Sequence, residues 1–561
     1  MVSVQLILLA LLVFTAAGTA RGNPLPASPA LIISTVAATH VALLLLVAVR
    51  ARRVARLLHQ PTAAAAVLAD RLDRFLDHAR WLTVALAALQ FWGLGWNNLV
   101  LKPVGWNLGR WPMVGETVLL AAPLLTWLGF WIAHYQVVAA IHDRSLPYRL
   151  AMGLPAHEMP KLGAYVFMQI RHNYFLLLPM FLATLVESLL SSRGGWLAEI
   201  SAPVSVAVLL LAAPTLLTFI WRTSSLRGPL RDRLNAVAAR HGVRFRNVLI
   251  WHTHHHVRNA AVLGHLPFAR YFLMSDALLE TLTDRQIEAV FAHEVGHARH
   301  RHLWWYGAAL IGAVGVAWWG GLQIVWIYEH LRGRPLLADD QDMLAAIAQM
   351  VFIGGFVAVI FSRLSKRFEH QADWFAAQHM AESLVREPEI QADAAALAAY
   401  MGAPLPPPSP PTPPPPQPGS TLVDAPGTPG SEPSAARCAS AGSILPWPHV
   451  PADPAALRQG AGMFIGTLAT IVELSNRSPD RGGWLHPSVR QREALLDELA
   501  AYPRARALFD RTMRRTRVFI VALLLVGIVL TSLHWKDIFL SADAAPSPAA
   551  GTPTTESDGG P

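Results

Sequence analysis

Ala292-His293-Glu294-Val295-Gly296-His297 is the stretch on which the reading of this chain turns. It has the pattern H-E-x-x-H, and the residues before it favour a helix. Thr283-Asp284-Arg285-Gln286 fits a capping box, with Thr283 as N-cap and Gln286 reaching back. Ile287, Val290 and Phe291 then supply an apolar helical stripe. On such a helix His293 and His297 leave the same face, four residues apart, and can grip one ion. Glu294 is placed to reach a water at that ion, the arrangement of a zinc hydrolase with a glutamate base.

A five-residue pattern needs a third ligand to mean anything. Downstream stands Arg367-Phe368-Glu369-His370-Gln371-Ala372-Asp373. Glu369 and Asp373 are again four apart and share a helical face. A carboxylate there completes a His2Glu set and leaves a fourth position for water. With Glu369 as the ligand, Asp373 holds the far N–H of a ligand histidine.

A further segment reads His486-Pro487-Ser488-Val489-Arg490-Gln491-Arg492. H-E-x-x-H, then E-x-x-A-D, then H-P-x-x-x-x-R, in that order, resembles the M48 family of integral membrane zinc proteases. The resemblance covers roughly Gly242 to Leu496, less one insertion. It implies a gluzincin-like domain with one zinc per chain, held by His293, His297 and Glu369. It also implies Glu294 as general base, His486 as hydrogen-bond donor to the oxyanion, and Asp373 and Arg492 as braces. Family members bind substrate as an added strand at a sheet edge that often carries Asn-Ala, matched here by Asn259-Ala260.

Composition agrees with a membrane setting. Of 561 residues 53% are hydrophobic and 15% charged, and the mean hydropathy is +0.34. The net charge of +9 would suggest nucleic acid in a soluble protein. Here the arginines flank apolar segments, so topology explains them better and no nucleic-acid partner is expected. Cys438 is the single cysteine, which excludes an intrachain disulfide and a thiolate zinc cluster.

The expected fold is mainly α: a polytopic helical membrane protein whose protease domain carries a small β-sheet. Residues 1–221 read as an N-terminal membrane region of about six spans, the first a retained helix or a cleaved signal. The spans after that first segment lie at Leu31–Val49, Trp81–Leu101, Val118–Ile141, Tyr174–Leu190 and Ala202–Trp221, with a polar helix at 62–80 outside the bilayer core. Residues 222–400 hold the first part of the catalytic domain, including a membrane hairpin at 304–361. Short strands are expected at Arg246–Trp251, Asn259–Leu263 and Tyr271–Met274. A Pro-rich insertion fills 401–459, the catalytic domain resumes over 460–510 with a helix from Gly460, a last span lies within 511–540, and 541–561 is a disordered tail. That makes nine candidate spans. The arginine-rich loops after Val49, Ile141 and Trp221 belong in the cytoplasm by the positive-inside rule, and this puts all three motifs on the cytoplasmic side.

Two other features read as bland. His252, His254, His255 and His256 look like a metal tract but fit a solvated loop. His157-Glu158-Met159-Pro160-Lys161 lacks a second histidine. The expected function is a zinc endopeptidase acting on membrane-associated or lipidated proteins, with prenylated CaaX-type peptides and damaged membrane proteins both open. The alternatives are a membrane scaffold or pseudo-protease that binds peptides without cutting, and a transporter.

Overall fold

The computed structural model describes residues 4–20, 25–60, 64–111, 113–151, 153, 155, 157–400, 453–475 and 478–542. The run Pro404–Pro418 and the tail beyond Ala542 lie outside the described residues. The described residues form two compact units, one from within 1–304 and 362–513 and one from within 305–361 and 514–542.

The first unit opens with eight helices: α1 (Val4–Gly18), α2 (Pro29–Leu58), α3 (Ala65–Ala88), α4 (Trp96–Leu101), α5 (Val114–Ala151), α6 (Leu162–Asn173), α7 (Leu177–Ser191) and α8 (Gly195–Ile220). The expected span Trp81–Leu101 is not one helix. α3 runs through Arg80-Trp81 without a break and passes into a π turn at Leu89–Gly93. Gly95, at φ +69°, then turns the chain before α4. Only glycine adopts that left-handed conformation at little cost, so the break is written in Gly93-Leu94-Gly95.

The sheet follows. β1 (Thr223–Ser225), β2 (Asn247–Trp251), β3 (Ala260–Leu263) and β4 (Tyr271–Ser275) lie in the order β1-β2-β4-β3. β2 pairs parallel with β4, and the other two pairings are antiparallel. The strand β1 was not anticipated; Thr-Ser-Ser has no apolar run to mark it, and it pairs antiparallel with β2. Helices α9 (Pro229–Arg240), α10 (Asp276–Thr281) and α11 (Asp284–Arg299) complete this part. Phe272 and Met274 of β4 pack on Leu278, Val290, Phe291 and Val295, so the sheet and α11 share one core.

Five long helices and one short one finish the described chain: α12 (His302–Arg332), α13 (Ala338–Gly355), α14 (Ser362–Tyr400), α15 (Pro454–Leu474), α16 (Val489–Ala501) and α17 (Pro503–Ala542), of which α16 is the short one and α13 continues into a π turn at Phe356–Phe361. α15 starts ahead of the expected Gly460, because Asp453 accepts a hydrogen bond from the Ala455 N–H and Pro454 takes the first helical position. Gly460 lies where α15 crosses α14. A Cβ there would come within 2.4 Å of the Ala377 carbonyl oxygen. Ala289 and Ala292 of α11, Ala377 and Met380 of α14, Phe464 of α15 and Leu496 of α16 form a second core.

In the other unit α12, α13 and α17 pack through small residues. A Cβ on Gly315 would lie 2.6 Å from the Gly527 oxygen, so these two helices touch backbone to backbone, as membrane helices commonly do.

Among the described residues six helices are long and apolar enough to cross a membrane, or seven if the bent pair α6–α7 counts as one span. Nine were expected. α1 has 15 residues, short of the roughly 20 a bilayer requires. The apolar part of α8, Val204–Ile220, is also short. α15 meets the test by composition, yet Leu457, Phe464 and Ile465 are spent in the core against α11 and α14. The chain is thus a multi-pass, mainly helical membrane protein with a small mixed sheet.

Candidate metal centre

α11 is built from its N-terminus. Gln286 Oε1 accepts from the Thr283 N–H at 3.0 Å and Thr283 Oγ1 accepts from the Gln286 N–H at 3.3 Å, closing the capping box. Ile287, Val290 and Phe291 turn into the core. His293 and Glu294 are buried and His297 nearly so.

Glycine inside the motif brings the second element near. A Cβ on Gly296 would sit 3.2 Å from the Ala372 Cα of α14. Two small residues at the crossing let α14 approach closely enough for Glu369 to reach both histidines. His297 Nε2 lies 3.2 Å from His293 Nε2. Glu369 Oε1 is 3.5 Å from His297 Nε2, and its Oε2 is 3.8 Å from His293 Nε2. The edges of a tetrahedron around zinc, at bond lengths of 2.0–2.1 Å, measure about 3.3–3.4 Å. The three donors therefore fit a zinc ion with one position left over.

Each ligand is held from behind. Asp373 Oδ1 faces His293 Nδ1 at 3.0 Å. Asp373 is in turn gripped by Arg492, whose Nε donates to Oδ2 at 2.8 Å while its Nη2 donates to Oδ1. The Arg492 guanidinium lies over the Phe464 ring, which also stacks on His293. His297 Nδ1 lies 2.8 Å from His302 Nδ1, and His302 Nε2 lies 3.1 Å from Gln371 Oε1. If His297 presents Nε2 to the metal, its Nδ1–H donates to His302, and His302 donates onward to Gln371. One tautomer at each ring satisfies the whole chain. His302 packs flat on Phe368. The sequence analysis did not find this relay. Its signal is a histidine just past the helix end, five residues after His297.

His486 and Arg492 are delivered together. Ser488 caps α16 in a second capping box with Gln491, which places Arg492 in the first turn and His486 in the preceding loop. His486 Nδ1 lies 2.8 Å from Glu369 Oε2. The residue expected to serve an oxyanion is thus also a partner of the ligand glutamate, with Nε2 on the other side of the ring.

Burial holds the His297 pKa down at about 3, so its ring is neutral and has a lone pair to give. His293 is pulled down by burial too, but the Asp373 carboxylate outweighs this and the net shift is upward. Burial raises Glu294, helped by the neighbouring Glu369 charge and opposed by His293 and His486. The Val262 backbone N–H also hydrogen-bonds Glu294.

That last contact ties the site to the sheet edge. The Ser275 N–H donates to the Asn259 oxygen, so Ala261 and Leu263 hydrogen-bond β4 in the register observed. Ala260 and Val262 then turn their N–H and C=O groups outward, away from β4. Asn259 and Ala260 open this edge. The His252–His256 tract is less solvated than expected: Thr253 is buried and His255 and His256 are half-buried.

Residues 224–395 match the family model for peptidase family M48. The match takes in H-E-x-x-H, Glu369 and Asp373, and stops before His486. A search of solved structures returned a crystal structure of S. mikatae Ste24p, 16% identical, with a TM-score of 0.33, covering 68% of this chain and 94% of that one. No curated protein matched.

Proposed function

We propose that this chain, whose residues 224–395 match the peptidase family M48 model, is a zinc-dependent endopeptidase of membrane-associated proteins, with its site facing the cytoplasm. The observation that carries this is the set His293, His297 and Glu369, with separations that suit one zinc and the buried Glu294 beside them. Zinc bound there supplies Lewis acidity toward the scissile carbonyl and the attacking water. Glu294 removes the proton from that water and returns it to the leaving amine; its raised pKa makes it a stronger base than an exposed glutamate. With both ring nitrogens protonated, His486 keeps Nδ1–H on Glu369 and donates through Nε2–H to the developing oxyanion. The substrate backbone pairs with the outward groups of Ala260 and with the Val262 carbonyl, the Val262 N–H being held by Glu294, a mode that reads extended shape more than sequence. Arg492, Asp373, His302 and Gln371 orient the ligands.

The membrane spans and the arginine-rich loops support substrates that are embedded, anchored or lipidated. Prenylated peptides and damaged membrane proteins both meet that description. Comparative proteomics of membranes carrying wild type or Glu294→Gln identifies them: proteins that accumulate uncleaved with the variant are the substrates. Cysteine labelling at sites introduced near Arg231 and Arg334 tests the orientation. Arg231 is expected in the cytoplasm and Arg334 on the far side; labelling of both from one side contradicts it.

A further inference from the structure

We infer that the first unit holds a second transition-metal site, formed by His157, His255 and Glu280. Three separate segments converge there: the loop between α5 and α6, the loop between β2 and β3, and α10. His157 Nε2 lies 2.7 Å and His255 Nδ1 2.9 Å from the same oxygen, Glu280 Oε2. The two rings stack with centroids 3.7 Å apart, at 9°. One ligand atom from each residue falls within 4.8 Å of the other two, as in the catalytic set.

The His255 Nδ1 nitrogen faces the carboxylate. It is buried and close to Glu280, but without hydrogen-bond geometry to any partner. The loop is built to present it. His254 and His255 both have positive φ, 54° and 60°, a conformation that is unfavourable for a non-glycine residue and persists only where surroundings enforce it. Asp276 enforces it here, accepting from the N–H groups of Thr253 and His255 and from the Thr253 hydroxyl.

Two imidazoles and one carboxylate suit zinc or a neighbouring divalent transition metal, not magnesium or calcium. Donors on zinc stand about 3.3–3.4 Å apart, so binding opens the two contacts to Glu280 by roughly half an ångström. The bound ion joins the α5–α6 loop to the loop that leads into β3. Arg149 and Arg258 also lie near Glu280, and their charge makes this site the weaker of the two.

The test is metal analysis of the full-length, detergent-solubilised protein after dialysis against zinc, then titration with a chelator. Wild type is expected to hold two zinc ions per chain and to lose the first at lower chelator concentration. His157→Ala/His255→Ala is expected to hold one, the tightly held ion. His293→Ala/His297→Ala is expected to hold one, the weakly held ion. If the latter protein does not fold, hydrogen exchange of wild type decides. Zinc added to protein already holding its tight ion should slow exchange in 157–161 and 252–258, and this effect should vanish in His157→Ala/His255→Ala. One zinc in wild type, unchanged in His157→Ala/His255→Ala, overturns the second site while leaving the peptidase centre standing. One zinc that disappears in His157→Ala/His255→Ala instead overturns the catalytic centre and leaves the second site standing.

Discussion

Two sets of two histidines and a glutamate stand in the same unit, and they are built by opposite means. In the catalytic set both histidines come from one helix and the glutamate from a helix packed directly on it. Each ligand has a partner behind it, through Asp373 and Arg492 or through His302 and Gln371. In the other set the ligands come from loops and a short helix, each is about a third exposed, and Asp276 holds the backbone of His255 without touching its ring. Helices fix the donors of the first set before any metal arrives. The second set depends on a strained loop and on its ligand to close.

The largest effect that would break this contrast lies in the support of the catalytic set. Asp373 is fully buried and its charge is answered by Arg492. Removing one partner of such a pair leaves an uncompensated charge and costs about 3–5 kcal/mol. Arg492→Met is therefore expected to lower the melting temperature in detergent and to weaken zinc binding together. An unchanged melt would mean that Asp373 is satisfied by other groups and that the centre is less preorganised than described.

A smaller effect is expected at the other ligand. His302→Ala removes the acceptor of the His297 relay, and losses of this kind cost about 10–100-fold in metal affinity. His302→Asn, which can still accept from His297, should recover part of it. Equal losses in both variants would assign His302 a packing role against Phe368 only.

The smallest effect is a pH dependence of the scaffold under α11. Burial raises the Glu288 carboxyl, but His379 and Arg233 outweigh it and hold the pKa near 2. Burial holds His241, which contacts His379, near 3. Both values lie below those of the unfolded chain. The stability they contribute is fully present above the unfolded pKa and is lost as pH falls, from about 6.5 toward 3 for His241 and from about 4.5 toward 2 for Glu288. Melting temperatures are expected to decline below about pH 6.5, and Glu288→Gln should flatten the lower part of the curve. A flat profile down to pH 4 would contradict this packing.

The same contrast explains what could be read from the sequence. H-E-x-x-H and Glu369/Asp373 declare themselves because ligands on helices recur at spacing four. The strands at β2, β3 and β4 show as short apolar runs between turn residues. His157 and His255 lie 98 positions apart on irregular chain, so no spacing connects them, and each reads as bland. The span Trp81–Leu101 misled because hydropathy is blind to the left-handed turn at Gly95. α15 showed the reverse: an apolar helix whose apolar face is consumed by protein packing. Gln371 gave no signal, since its role exists only when α14 is laid against His302.

The central claim is that Glu294 is a base beside the metal and not one of its ligands. The direct measurement is zinc content and cleavage of a membrane-anchored reporter on the same preparation of Glu294→Gln. The zinc of the catalytic set should stay, because the three donors are untouched, while the cleavage rate falls by about 10²–10⁴-fold or more with the loss of general-base catalysis. Cleavage at the wild-type rate with that zinc retained would contradict the account.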